Sequence, residues 1–353
     1  MPRVHSCIFV SHLVELILLY TIERTESERE RERGSGGDHF ESSSVAPRRY
    51  PRMEDSGIER LPEGCVAHAI AFTSPGDACR SSAVSTAFRS AAFSDTVWEC
   101  FLPDDHRSLL SRAVYPVEFS SKRELFFLLC DSILIDDGKM SLWLDRSSGA
   151  KCFMVSAREL SIVWGDTPQY WRWVSLPDSR FAEVAELNDV CWLEIRGKIQ
   201  LEMLTRKATY AAYLVYKLAD WSRGLAHPPQ EASVTVGLRS STTHMVRLQP
   251  SDDPAHARSN RSRFGPLRRP IHPDVGGEEA GGGGGGAFAP SVPRVRDDGW
   301  MEVEMGAFYN DEGDEGEVVM SLMQVKSSNW KKGLIIQGIE IRPKIAGTTK
   351  LVC

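Results

Sequence analysis

The hydrophobic period of this chain changes once, near residue 138, and a single helical or single β architecture cannot accommodate both halves. Upstream, apolar residues recur at helical spacing. Pro62 can open a helix whose face carries Val66, Ala69, Ile70 and Thr73. Ser74-Pro75-Gly76-Asp77 breaks it, with Ser74 placed to cap the next helix and Pro75 in its first position. Val84, Ala87, Phe88 and Ala91 form a second stripe. Ser94 or Asp95 can cap a short helix carrying Val97, Trp98 and Phe101, and Pro103 stops it. Residues 107–135 read as helical again, with Ser121 and Glu124 at capping-box spacing ahead of Leu125 to Leu129.

From residue 139 the period is two. Met140, Leu142 and Leu144 alternate with Ser141, Trp143 and Asp145, and Cys191, Leu193 and Ile195 with Trp192, Glu194 and Arg196. Met301, Val303 and Met305 alternate with Glu302 and Glu304, which reads as a strand with its polar face in water. Leu334-Ile335-Ile336 is apolar on both faces, as a central strand requires. Several short strands with few helices between them predict an antiparallel sandwich. At 353 residues, two domains are expected.

Three segments fall outside this pattern. The apolar run Ile8 to Tyr20 is too short to span a bilayer, contains Glu15, and is followed by no small-residue cleavage site, so neither a membrane anchor nor a secretion signal is expected. Residues 28–33 alternate Glu and Arg, which sets like charges four apart on any helix, and Gly34-Ser35-Gly36-Gly37 follows. Residues 1–52 thus read as disordered, or as a GA-repeat leader translated by mistake, with Met53 the natural start. Residues 250–296, rich in Pro, Arg and Ser and holding the run Gly281 to Gly286, read as a disordered insertion between strands.

Composition removes some functions. A net charge of −6 leaves no broad footprint for nucleic acid. The eight cysteines form no C-x-x-C pair and no zinc spacing, and read as reduced core residues of a protein of the cytoplasm or nucleus. Asp311 to Glu317 lacks the alternating ligands of an EF-hand loop and reads as an acidic hairpin tip. No nucleophile elbow, phosphate-binding loop or His-Glu-x-x-His is present, so no catalytic residue, metal or cofactor is expected.

The tryptophan-rich stretch 164–173 carries the strongest local signal. Gly165 and Pro168 prevent a helix through it. A strand ending near Trp164, a turn over 165–168 and a new strand or loop with Trp171 and Trp173 on one side would set two indoles about a turn. Such rings can form a shallow platform for the C–H faces of a sugar, or can fill the core; Trp173 reads as core.

Two resemblances organise these features. Residues 61–101 resemble an F-box. It opens with Leu61-Pro62-Glu63-Gly64-Cys65 and continues through Phe72-Thr73-Ser74-Pro75-Gly76-Asp77 and Val84-Ser85-x-x-Phe88-Arg89 to Ser94-Asp95-x-Val97-Trp98. The resemblance implies docking on the Skp-type adaptor of a cullin–RING ubiquitin ligase, with Leu61, Pro62, Val84 and Trp98 as contact residues. Ser81 and Ala83 are smaller than the apolar residues usual there. Residues 105–345 resemble the phloem protein 2, or Nictaba-like lectin, domain. The likeness is closest at Leu160 to Trp173, and recurs at Val190 to Lys198, Gly299 to Val303 and Gly333 to Pro343. It implies carbohydrate binding through Trp164 and Trp171, with N-acetylglucosamine oligomers and N-glycan cores as the favoured class.

The expected architecture is α+β and multidomain: a small all-α F-box (53–103), a helical connector (104–138), and an antiparallel, jelly-roll-like β-sandwich lectin domain (139–345) with a short tail (346–353). The expected function is the substrate receptor of an SCF-type (Skp–cullin–F-box) ubiquitin ligase with a glycan or glycoprotein client. A free-standing lectin and a sandwich that binds only protein remain open alternatives.

Overall fold

The computed structural model describes residues 61–237, 242–249, 290–312, 315–326 and 328–344. The apolar run 8–20, the Glu-Arg repeat, Met53, the tail and most of the 250–296 segment lie outside the described residues. The chain divides into two compact units, one comprising the residues up to Asp137 with Leu142–Cys152, the other Gly138–Ser141 with Phe153 onward.

The first unit is built from six short helices, α1 (Glu63–Ile70), α2 (Pro75–Ser81), α3 (Thr86–Phe93), α4 (Asp95–Phe101), α5 (His106–Ser111) and α6 (Lys122–Cys130). Local chemistry sets their ends. Pro62 is the N-cap of α1. Ser74 Oγ accepts from Asp77 N at 3.1 Å and Pro75 occupies the first helical position, while Ser85 and Ser121 cap α3 and α6 in the same way. The Glu124 carboxylate reaches back to Ser120 N (2.8 Å), one residue before the cap. The core gathers Val66, Ile70, Phe88, Phe126 and Leu129 around Trp98, whose Nε1 donates to Ala92 O at 2.7 Å. Helices this short bury little surface each, so the largest side chain is drawn inward to fill the space between them. Ala87, expected on the buried stripe, is exposed; Ala92 takes its place because α3 begins at Thr86. The helical reading also ran too far. Ile133–Ile135 is a strand, β1, and Asp136 and Asp137 follow with positive φ. Arg112 holds the Asp136 carboxylate through two bonds of 2.9 and 2.6 Å.

The remaining strands are β2 (Met140–Leu144), β3 (Lys151–Ser156), β4 (Ser161–Ile162), β5 (Trp171–Val174), β6 (Val184–Leu187), β7 (Leu193–Gln200), β8 (Ala208–Arg223), β9 (Gln230–Val236), β10 (Thr242–Val246), β11 (Arg294–Val295), β12 (Met301–Asn310), β13 (Glu317–Gln324) and β14 (Lys332–Pro343). In the second unit they form two antiparallel sheets. One runs β3-β14-β8-β12-β11, with β6 also on β14 and β5 on β6; the other runs β10-β9-β13-β7-β4. As expected, β14 is central, bonded to β8 on one side and to β3 and β6 on the other. The sheets press close where Gly197 lies: a Cβ there would stand 2.9 Å from both Ile339 and Leu160. Two expectations need correction. The expected loop 250–296 is shorter at its end, because Arg294 and Val295 pair with β12. Glu302, expected in water, is buried because arginines from β11, β14 and the turn after β11 converge on it.

Strand directions decide where the functional residues lie. Ile162 pairs with Ile195, Trp171 with Leu187, Ile335 with Glu186 and Lys332 with Arg223, all antiparallel. Val190 bridges to Lys331, with N–H···O distances of 2.9 and 2.8 Å, and so ties the start of β7 to the start of β14. The starts of β5, β7 and β14 and the ends of β4, β6 and β8 therefore share one end of the unit.

Candidate binding sites

At that end, β4 is bonded to β7, and Val163 N donates to Glu194 O at 3.1 Å. The chain must then turn sharply. Gly165 N donates to Ile162 O at 2.9 Å, Thr167 N to Trp164 O at 2.9 Å and Tyr170 N to Thr167 O at 2.9 Å, so successive tight turns carry it from β4 to β5. They leave Trp164 in the left-handed region, at φ 58°. For a bulky L-residue this costs of order 1–2 kcal/mol, and such strain concentrates at functional positions. Trp164 is 42% exposed, and its ring lies 5.1 Å from the Tyr170 ring at an interplanar angle of 36°. Asp166, at the tip of the turn, is exposed.

The expected pair of indoles does not form an open platform. Trp171 is 2% exposed, paired with Leu187 on β6, and points into the unit. Its first strand residue must face inward because the strand lies over the core there. Trp173, expected in the core, is half-buried: Nε1 donates to Gly165 O at 3.1 Å and the Arg158 guanidinium lies 3.7 Å over its ring. The surface pair is Trp164 with Tyr170. Tyr170 was missed, although its place immediately before a buried Trp in an alternating segment assigns it to the outer side.

The four expected adaptor-contact residues also divide. Pro62 is exposed and Leu61 half-buried at the start of α1, whereas Val84 and Trp98 are interior residues of the helical core. Ser81 is buried as well, and only Ala83 of the two small residues faces solvent. Among the apolar side chains presented outward near α1 to α3 are Phe72, 61% exposed and edge-on to His68 at 5.0 Å, and Phe93, covered in part by Arg123 at 4.3 Å.

A third feature had no counterpart in the sequence reading. Arg294, Arg296, Glu302 and Arg342 line a cavity of about 390 Å³ beside β11. Glu302 Oε1 accepts from Arg342 (2.7 Å) and from Arg294; Oε2 accepts from Arg342 and Arg296, both at 2.9 Å. Glu340 takes Arg296 at 3.0 Å and Arg342 as well. Burial alone would raise the Glu302 pKa, but the Arg342 bonds and the charges of Arg342, Arg294 and Arg296 outweigh it and hold the carboxyl at about 2. The carboxylates occupy these donors, so the cluster reads as a clamp for β11 rather than a ligand site.

Residues 150–343 match the phloem protein 2 family. F-box protein At2g02240 of Arabidopsis thaliana is 44% identical over 290 residues, 82% of this chain and 81% of that protein. F-box protein PP2-B10 of the same plant is 42% identical over 299 residues, 84% of this chain and 97% of its own length, and F-box protein PP2-B1 is 41% identical over 307 residues, 82% and 90%.

The chain belongs to the phloem protein 2 family, in its F-box-bearing B class.

The phloem protein 2 match takes in the whole Trp164 end of the sheet unit, and the three relatives are named F-box proteins. None of those names denotes a catalytic activity. Among the described residues no group of three or more His, Cys, Asp and Glu side chains is placed to hold a metal. No helix there is long and apolar enough to cross a membrane.

Proposed function

We propose that this phloem protein 2-B chain is the substrate-receptor subunit of an SCF-type ubiquitin ligase, acting in the cytoplasm or nucleus and binding a glycan or glycoprotein client. The helical unit would dock the Skp-type adaptor through Leu61, Pro62 and the exposed side of α1, with Val84 and Trp98 shaping that surface from beneath. The sheet unit would hold the client. A receptor of this kind does no covalent chemistry; it raises the local concentration of client at the transferring enzyme.

The observation that carries the glycan half is Trp164, held in a strained left-handed turn with its ring open to solvent and Tyr170 alongside. An indole and a phenol at a shallow angle offer two faces to the C–H surface of a pyranose, and Asp166 offers a hydroxyl acceptor. N-acetylglucosamine-containing glycans are the ligand class of this reading. Trp171 belongs to the site as the buried support of that turn, since Trp171 N donates to Thr167 O at 3.0 Å.

Two measurements test the two halves. The full chain should co-purify with a Skp-type adaptor, and the double change Leu61→Ala, Pro62→Ala should abolish this; a wild-type chain that never captures the adaptor sinks the receptor half. On a glycan array, wild type should bind N-acetylglucosamine-containing structures and Trp164→Ala should not. Undiminished binding by that variant would remove the site.

A further inference from the structure

In the helical unit, Arg123 is a half-buried cation with no anion beside it. It stands in the first turn of α6, with its guanidinium 4.3 Å from the centre of the Phe93 ring, 5.2 Å from Phe127 and 5.8 Å from Trp98. Its Nε is buried without a hydrogen-bond partner, and among the described residues no carboxylate pairs with it. The acidic groups of the neighbouring helices are committed elsewhere. Asp95 Oδ1 accepts from Lys122 N at 2.9 Å, Glu99 holds the Lys122 ammonium at 2.7 Å, and Asp77 is taken by Arg80 and Ser74. Aromatic rings attract such a charge but accept none of its in-plane N–H groups, and a buried N–H left unpaired is costly.

Hydrogen bonds and helix periodicity join this cation to the start of α1. Pro62 leads into Glu63, the first residue of α1, and Glu63 Oε1 accepts from Ser90 Oγ at 2.9 Å, which ties that start to the outer side of α3. Thr86, Ser90 and Phe93 recur at i, i+4 and i+7 and are all exposed, so α3 presents one stripe that ends on Phe93. Phe88, Ala91 and Ala92 hold the opposite side of α3 in the core, which keeps the stripe turned outward. The Phe93 ring is 45% exposed beneath Arg123. Arg89, one turn before Phe93, is exposed and donates to Ser82 O at 3.3 Å, with no carboxylate partner among the described residues. A second cation thus borders the ring.

Charge narrows the occupant. An apolar partner laid over this stripe would bury Arg123 unpaired, and a basic one would be repelled by two arginines. A carboxylate answers both cations, and a guanidinium resting on an aromatic ring keeps its planar fork available for a bidentate bond to it. The ring supplies the apolar contact that excludes water around the pair. The surface therefore fits an acidic side chain carried on the face of a folded protein.

We propose that Arg123 and Phe93, with Arg89 at their rim, form a second contact for the adaptor, one that takes an acidic side chain of that protein. This rests on the receptor reading above and deepens it. Arg123 lies beyond the F-box motif, which ends at residue 101, so the helical connector takes part in choosing the adaptor. Leu61 and Pro62 supply the apolar anchor at one end of the surface; the Arg123–Phe93 pair supplies charge selectivity at the other.

The test is surface plasmon resonance of the full chain over an immobilised Skp-type adaptor, with far-UV circular dichroism melting on the same preparations. Arg123→Gln is expected to weaken binding roughly 10- to 100-fold, mainly through faster dissociation, because it leaves the adaptor's carboxylate covered and unpaired. Arg89→Gln, at the rim, should slow association about 2- to 5-fold and flatten its dependence on salt. Phe93→Ala should weaken binding roughly 3- to 10-fold, the range for loss of one aromatic face. Arg123→Lys, which keeps the charge without the fork, should fall between wild type and Arg123→Gln. Three outcomes overturn the proposal. If Leu61→Ala with Pro62→Ala abolishes capture while Arg123→Gln and Phe93→Ala change neither rate constant, the receptor reading stands and the second contact does not exist. If Arg123→Gln weakens binding only in step with a loss of folded protein, Arg123 supports the helices and does not meet the adaptor. If wild type captures no adaptor, the receptor reading fails and the contact with it.

Discussion

Trp164 and Trp171 were expected to do the same job, and their burial predicts opposite consequences when they are changed. Trp171 is 2% exposed, and truncating such a side chain to alanine removes its buried area and leaves a cavity, which costs about 3–5 kcal/mol. At Trp164 only a little over half of the residue is covered. Roughly 100 Å² at ~25 cal/mol/Å² gives about 2.5 kcal/mol lost on removing it. Replacement by glycine also releases the left-handed backbone, regaining about 1–2 kcal/mol. Trp164→Gly should therefore destabilise the sheet unit by about 1 kcal/mol, at least 2 less than Trp171→Ala, while abolishing glycan binding. A third variant sharpens the contrast. The Trp171 Nε1 is buried with no hydrogen-bond partner among the described residues. An unsatisfied buried N–H costs about 1–3 kcal/mol, so Trp171→Phe trades lost ring volume against that relief and should fall within about 1.5 kcal/mol of wild type, with glycan binding kept. Urea denaturation followed by far-UV circular dichroism, with binding measured on the same samples, checks all three. Equal destabilisation by Trp164→Gly and Trp171→Ala would refute the division into surface and support, as would loss of binding in a folded Trp171→Phe.

Further outcomes follow from the two units. Because the Glu302 pKa in the folded chain, about 2, lies below its ordinary 4.5, its contribution is complete above about pH 4.5 and is lost as pH falls toward 2. The shift corresponds to about 3 kcal/mol; Glu302→Gln should destabilise by about 3–5 kcal/mol at pH 7, with a deficit that shrinks between pH 4 and 2, and a constant deficit across that range would contradict the arginine clamp. Trp98→Ala should unfold the helical unit, at a cost of about 3–5 kcal/mol, whereas Leu61→Ala with Pro62→Ala should leave its circular dichroism unchanged; similar melting of both variants would show that Trp98 is not the core residue described. Burial pushes the Cys130 thiol up to about 12, so at pH 8 iodoacetamide should label exposed Cys65 and Cys100 well before Cys130, and equal labelling rates would show that the α6 end is open.

Much of the molecule was legible in one dimension. Ser74-Pro75 and Ser121 name their own helix starts because a cap is a contact between residues three apart. Leu334-Ile335-Ile336 announced a central strand because covering both faces demands apolar residues at every position. The Trp164 turn could be drawn from Gly165 and Pro168 alone. Misreadings arose where a residue's surroundings come from distant segments. Glu302 alternates like a solvent-facing residue, yet Arg342 reaches it from β14, joined by Arg294 and Arg296 across the β11–β12 turn, and together they make burial favourable. Val84 and Trp98 matched a motif of contact residues, but the packing of the short helices drew them inside.

The order of residues along the chain is enough to place the helical unit before the sheet unit, the turn that follows Trp164, and the resemblance that the comparisons with known proteins went on to establish. Those depend on neighbours along the chain and on ordered motifs. Which tryptophan of the Trp164–Trp171 pair meets solvent was decided only by tertiary structure. Burial and proximity depend on strand register, and register is set by pairings such as Val190 with Lys331, 141 residues apart (331 − 190).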